Sequence, residues 1–216
     1  MNHNYYLEKQ NATEKLVNDF FKKNNLKSKR NNLLNITDVD LIVEGKRVDV
    51  QFSQNFKRYG DIRIDLISAA TNDVNNSMHN SFSYSFFEEI QDRKRWNIIK
   101  VGKYFMPGYA DYVFYCIYDN QLTLKENVPS LPEYLLLLRV NAVVDFFDKN
   151  KDFVISNMIK NDKRANNIHE EHISAFIPIS LKNIIFNKFD RDDYYYWNYN
   201  ESKKRYQEKF DRKLSL

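Results

Sequence analysis

The sequence predicts an α/β fold, a mixed central sheet flanked by helices, with a C-terminal helical and strand extension. Three stretches of the 216 residues carry that expectation. Residues 12–25 place apolar side chains at helical spacing, residues 36–54 alternate apolar and polar with period two, and residues 109–119 form a nearly continuous apolar and aromatic run. Those patterns are the signatures of an amphipathic helix, of half-buried strands and of a strand buried on both faces.

In the first stretch, Leu16, Val17, Phe20 and Phe21 share a helical face, and Asn11 or Thr13 can cap its start. The basic, asparagine-rich residues 26–35 read as a loop. Two strands joined by a tight turn at Glu44, Gly45 and Lys46 follow. Val39, Leu41 and Val43 alternate with Asp38, Asp40 and Ile42, and Val48, Val50 and Phe52 alternate with Asp49, Gln51 and Ser53. Residues 61–68 repeat the alternation and read as a third strand. A polar loop over 69–83 leads to a short helix at 85–96 with a basic end. After the break at Gly108 and the buried strand, residues 121–126 read as a further strand, and Pro129 and Pro132 precede a long helix expected over 133–150. Residues 157–171 read as a loop, and 172–181 as a strand ending at Pro178 with a turn into 180–185. From 190 onward four aromatics, Tyr194 to Trp197, precede a basic, helix-prone tail. Without an internal repeat or a linker, one domain over 1–216 is expected, its core at about 12–126 and an extension at about 127–216.

Composition excludes more than it assigns. Hydrophobic residues make up 43% and aromatics 15%, as in a globular protein. No apolar run approaches the roughly 18 residues of a membrane span, and the amino terminus lacks the basic-then-apolar order of a signal peptide; a cytoplasmic protein that does not bind membranes is the expectation. The single Cys116 rules out an internal disulfide, and its apolar surroundings suit a core position. Four glycines leave no phosphate-cradling loop. His169 and His172, in HEEH, lack the spacing of a zinc helix and read as surface. The net charge of +4 is unevenly spread, with basic clusters at Lys22 to Arg30, Arg93 to Lys103 and Lys203 to Lys213. Such clusters follow a phosphate backbone or form solvated faces. Tyr194 to Trp197 could stack on bases, although such a cluster more often packs a terminal segment onto the core.

The hairpin holds the most specific signal. A sheet face bearing Asp40, Asp49 and Gln51 together is costly unless something positive, most simply a divalent cation, lies between the carboxylates. A solvent-facing edge with ordinary surface acids is the alternative. Asp49 and Gln51, at i and i+2, point to one face. Asp38 shares a strand face with Asp40 and competes with it as a ligand.

A helix, an acidic hairpin with a further strand, a helix and a buried strand resemble the αβββαβ core of the PD-(D/E)xK nuclease superfamily, the restriction endonuclease-like fold, over roughly residues 12–118. In that pattern an acid on one hairpin strand is followed on the next by Asp or Glu, any residue, then Lys. Asp40 matches the first acid and Asp49 the second, and Gln51 stands where the family has lysine. The resemblance implies an endonuclease that hydrolyses DNA phosphodiester bonds with Mg²⁺ (or Mn²⁺), with RNA as an alternative substrate and a homodimer as an assembly many nucleases of this fold adopt. Asp40, Asp49 and Asp38 are its candidate metal ligands. Gln51 would order the attacking water, and Glu14 occupies a helix position from which some relatives supply another acid. Lys29, Arg30, Arg93, Lys94 and Arg95 are candidate nucleic-acid contacts. The competing expectation is a catalytically inactive nuclease-fold protein that binds nucleic acid or a partner protein, such as a phage or plasmid accessory factor.

Overall fold

The computed structural model describes residues 3–31, 39–53, 60–71, 84–118, 131–164 and 171–216, with backbone alone at 3–7, 161–164, 171 and 172. It is a mixed α/β structure that divides into two compact units. Unit 1 comprises 1–60, 108–140 and 181–216, and unit 2 comprises 61–107 and 141–180.

Unit 1 is built on a seven-stranded sheet. Helix α1 (His3–Lys23) is followed by β1 (Ser28–Arg30), β2 (Leu41–Val43) and β3 (Lys46–Ser53). After the excursion through unit 2 the chain returns as β6 (Tyr112–Ile117) and β7 (Tyr134–Arg139), and later as β10 (Tyr194–Asn200) and β11 (Arg205–Glu208). The order is β1-β2-β3-β6-β7-β10-β11. Strands β1, β2 and β3 form an antiparallel meander, while β3 and β6 run parallel with Asp49 beside Val113 and Gln51 beside Tyr115. On one face α1 lays Val17, Phe20 and Phe21 against Leu41, Val48, Val50, Phe114 and Leu137. Phe20 meets Phe114 and Trp197 edge-on, at centroid distances of 5.6 and 5.0 Å. Such contacts add to simple area burial. The turn between β2 and β3 has φ 48° at Glu44 and 81° at Gly45. That is the two-residue hairpin geometry whose twist matches the strands.

Unit 2 is organised on a second, antiparallel sheet. Its strands are β4 (Asp61–Thr71), β5 (Asn97–Val101), β8 (Ile159–Arg164) and β9 (Glu171–Ser180), in the order β5-β4-β9-β8. Helices α2 (Ser85–Lys94), α3 (Val140–Lys149) and α4 (Lys151–Asn157) accompany it. Phe86, Phe87, Phe105 and Phe147 form its aromatic centre.

Several expectations need correction. The first helix begins at His3, so Thr13 is not a cap; its hydroxyl donates to the Lys9 carbonyl one turn back, at 2.8 Å. The expected loop at 26–35 contains β1, too short to show a period. The third strand of the hairpin sheet is therefore β1, upstream of the hairpin, while the alternating residues 61–68 belong to β4 and pair with β5 and β9. Residues 133–150 are a strand followed by a helix. Leu135, Leu136, Leu137 and Leu138 are all fully buried between β6 and β10. A strand hides consecutive side chains on both of its faces, whereas a helix needs an apolar repeat near 3.6. That repeat begins at α3, where Val140, Val143, Val144 and Phe147 are buried. The basic tail after Trp197, expected as helix-prone, completes the β10–β11 hairpin, and the loop expected at 157–171 contains β8. The strand expected at 121–126 and the candidate ligand Asp38 lie outside the described residues, as does His169. The helix at 85–96 and the buried strand of 109–119 are present as α2 and β6. Residues beyond 127, expected as an extension, supply β7, β10 and β11 to the same sheet as the acidic hairpin.

Candidate active site

The β2–β3 register pairs Leu41 with Val48, so continuing it one residue sets Asp40 opposite Asp49. Directly opposed residues in an antiparallel pair share a face. Because Val48 and Val50 face α1, Asp49 and Gln51 face the other way. Asp49 is only 2% exposed. Its Oδ2 accepts a hydrogen bond from Gln51 Nε2 and its Oδ1 one from the Tyr109 hydroxyl, both at 2.8 Å. Asp40 is half-buried, and its Oδ2 accepts the Val50 N–H at 2.6 Å. Paired β2 ends at Leu41, so the next amide on that edge of β3 has no strand partner there. The Asp40 carboxylate supplies an acceptor for it.

Glu14 sits elsewhere. Its partner Arg30 lies opposite Leu41, which belongs to the helix-facing core, so this pair is on the α1 side of the sheet. Arg30 Nη2 contacts Glu14 Oε2 at 2.5 Å and Asn11 Oδ1 at 3.0 Å. Gln10 Nε2 bridges Glu14 Oε1, at 3.1 Å, and the Val50 carbonyl, at 3.2 Å. The residues on α1 thus reach the backbone of Val50, whereas Asp40, Asp49 and Gln51 are gathered around the opposite face. Lys29 is exposed on β1. In unit 2, Lys94 and Arg95 are exposed at the end of α2, while Arg93 pairs with Glu89 and with Asp152, the latter at 2.8 Å.

Two features were missed by sequence reasoning. Tyr109 lies 60 positions from Asp49 in sequence, and no spacing rule links them. Parallel pairing of β3 with β6 does. The second is Arg47, whose N–H donates to Asp111 Oδ2 at 2.7 Å while its guanidinium approaches the same carboxylate at 3.4 Å. Burial pushes the Asp111 carboxyl up, but the hydrogen bonds and charge of Arg47 outweigh it and hold it below the usual carboxylate value. Opposite charges at 47 and 111 were visible in the sequence, but their proximity was not.

Two carboxylates, an amide carbonyl and a phenol are hard oxygen donors. They suit Mg²⁺, which takes one or two carboxylates and keeps several waters. Among the described residues no group of three or more His, Cys, Asp or Glu side chains could hold a metal, so a site formed only by protein ligands, as for structural zinc, does not fit. A cation here would have to be held by Asp40 and Asp49, with water completing its shell. Among the described residues no helix is long and apolar enough to cross a membrane.

No protein-family model matches the chain, and neither the curated proteins nor the solved structures contain a match.

Proposed function

We propose that the chain is a Mg²⁺-dependent endonuclease-like protein of the PD-(D/E)xK type that hydrolyses DNA phosphodiester bonds, with RNA as the alternative substrate. One observation carries the reading: a helix, a three-stranded antiparallel meander and a strand parallel to its third member, with Asp40 just before β2 and Asp49 and Gln51 on β3. That connectivity agrees with the resemblance better than the strands first expected from the sequence do.

In this reading Asp40 and Asp49 hold the cation. When bound, Mg²⁺ supplies Lewis acidity toward the phosphate and the attacking water. The Tyr109 hydroxyl and the Gln51 amide fix the Asp49 carboxylate in one orientation. With Nε2 turned to Asp49, the Gln51 carbonyl oxygen is the end that orients a water. Glutamine takes no proton near neutral pH, so Gln51 positions the water and the proton must leave by another acceptor. Glu14, paired with Arg30 on the helix side, has a structural part.

A second reading has its own support. The Asp40 carboxylate already satisfies the Val50 amide, and Asp49 is almost fully buried. Both acids therefore have a role in a nuclease-fold protein that binds nucleic acid or a partner without cutting.

Purified protein with Mg²⁺ or Mn²⁺ should cleave DNA, and Asp49→Ala should abolish cleavage while leaving DNA binding largely intact. Absence of metal binding by calorimetry, with no cleavage of any DNA or RNA form, would rule out the enzyme. Salt-sensitive DNA binding that persists in EDTA would then favour the second reading.

A further inference from the structure

We propose that a cleft at the β1 edge of unit 1 docks the phosphate backbone of a nucleic-acid strand and leads it onto the sheet face that carries Asp40 and Asp49. The inference rests on the nucleic-acid partner common to the nuclease and to its inactive, nucleic-acid-binding alternative. It deepens that reading by gathering part of the Lys22 to Arg30 cluster into one cleft beside the acidic face.

The cleft encloses about 590 Å³. Lys22 from the end of α1, Lys27 and Lys29 from the β1 region, and the apolar Leu26 and Ile42 line it. All three lysines are exposed. The Arg30–Glu14, Arg47–Asp111, Arg139–Asp193 and Arg212–Glu208 ion pairs of unit 1 do not use these lysines. The acid in the lining, Glu44, turns its Oε1 to the Lys27 backbone N–H at 2.5 Å.

A helix-end lysine complements the helix dipole, and lysines on an edge strand deter pairing with another sheet. Neither role explains why lysines of two elements line one concave, largely apolar surface. A strand of nucleic acid would use both parts: phosphates meet the lysines, and sugars or bases meet Leu26 and Ile42. A flat anionic membrane would use only the charge.

The register connects the cleft to the acids. Lys29 is opposite Ile42, and Ile42 is opposite Arg47. Lys29, Ile42, Arg47 and Asp49 therefore share one sheet face. Two strand spacings, roughly 10 Å, separate β1 from β3. Asp49 lies two residues, roughly 7 Å, farther along β3 than Arg47, so the backbone of Lys29, the nearest of the three lysines, is roughly 12 Å from that of Asp49.

The test is fluorescence anisotropy on the full chain in EDTA, using a labelled DNA strand of about 20 nucleotides, alone and as a duplex, across about 50–300 mM salt. The variant Lys22→Gln, Lys27→Gln, Lys29→Gln should bind at least about tenfold more weakly at low salt. Its log–log salt slope should fall by about 2 on the single strand or about 3 on the duplex, and the form showing the loss is the one the cleft takes. Lys203→Gln with Lys204→Gln, in an exposed turn of the same unit, should change little. Should the triple variant melt early, Lys29→Glu alone should weaken binding in the same direction. Wild-type affinity in both lysine variants overturns the proposal, as does an equal loss in the Lys203 and Lys204 control, or binding to phosphatidylserine vesicles with none to DNA. Unchanged binding beside Asp49-dependent cleavage removes the cleft and leaves the nuclease. Lysine-dependent binding without cleavage under any metal removes the nuclease and leaves the cleft.

Discussion

Gly102 has no room for a side chain, because a Cβ there would lie 1.8 Å from the Asp65 carbonyl oxygen. Its N–H donates to the Leu66 carbonyl at 2.8 Å, locking the segment after β5 against β4. Gly102→Ala must move backbone, and we expect about 2–4 kcal/mol of destabilisation, read by urea unfolding; a loss below about 0.5 kcal/mol would mean the approach is not required. Asp111 sets a pH dependence. Its carboxyl lies below the ordinary value in the folded state because Arg47 outweighs the cost of burial. The stability it contributes is thus present above the unfolded value of about 3.9 and is lost as pH falls through the lower folded one. In Asp111→Asn that part of the acid limb should flatten, as measured by thermal unfolding from about pH 5 down to about pH 2. An unchanged acid limb would count against the pairing. Asp49 was legible as a functional candidate because i, i+2 alternation alone puts it on a face with Gln51. Tyr109 was not, because its distance from Asp49 depends on a pairing between distant strands.

At the scale of elements, the β2–β3 hairpin was legible almost to the residue. Alternating side chains and a turn needing positive φ at Gly45 are local properties. Gly45→Ala should cost about 1 kcal/mol through that φ, and a neutral result in equilibrium unfolding would argue against the turn type. The C-terminal hairpin was misread because helix-prone charged residues hide its tertiary purpose. Glu208, nearly buried, accepts hydrogen bonds from the N–H groups of Phe210, at 2.6 Å, and Arg212, at 3.0 Å, and from the Arg212 guanidinium, at 3.0 Å. The same guanidinium donates to the Tyr194 carbonyl at 2.6 Å. Glu208→Ala leaves these donors without their acceptor, and we expect a loss of about 2–3 kcal/mol with early hydrogen exchange of the tail. Retained protection there would show that Arg212 and the aromatic residues hold the segment unaided.

At the scale of the whole molecule, metal linkage separates the two functional readings. A ligand that binds only the folded chain raises its stability by about 2.7 kcal/mol at a hundred times its Kd. For a chain of this size that is about 5–10 °C in Tm. In the nuclease reading Mg²⁺ or Mn²⁺ produces such a shift in the wild type, and Asp40→Asn or Asp49→Asn removes it. A Tm indifferent to either ion would leave the acids with their structural roles alone. The α/β class, the acidic hairpin, α2 and the apolar strand β6 were available from the chain alone, since periodicity and turn chemistry act between residues close in sequence. Partner strands were not. Which sheet takes β4, that β1 completes the meander, that the leucine run is a strand, and that Lys22, Lys27 and Lys29 line a cleft with Ile42 all depend on contacts between separate elements of the chain. Those contacts are chosen by the burial of both faces of a sheet, a property of the assembled fold that no local pattern encodes.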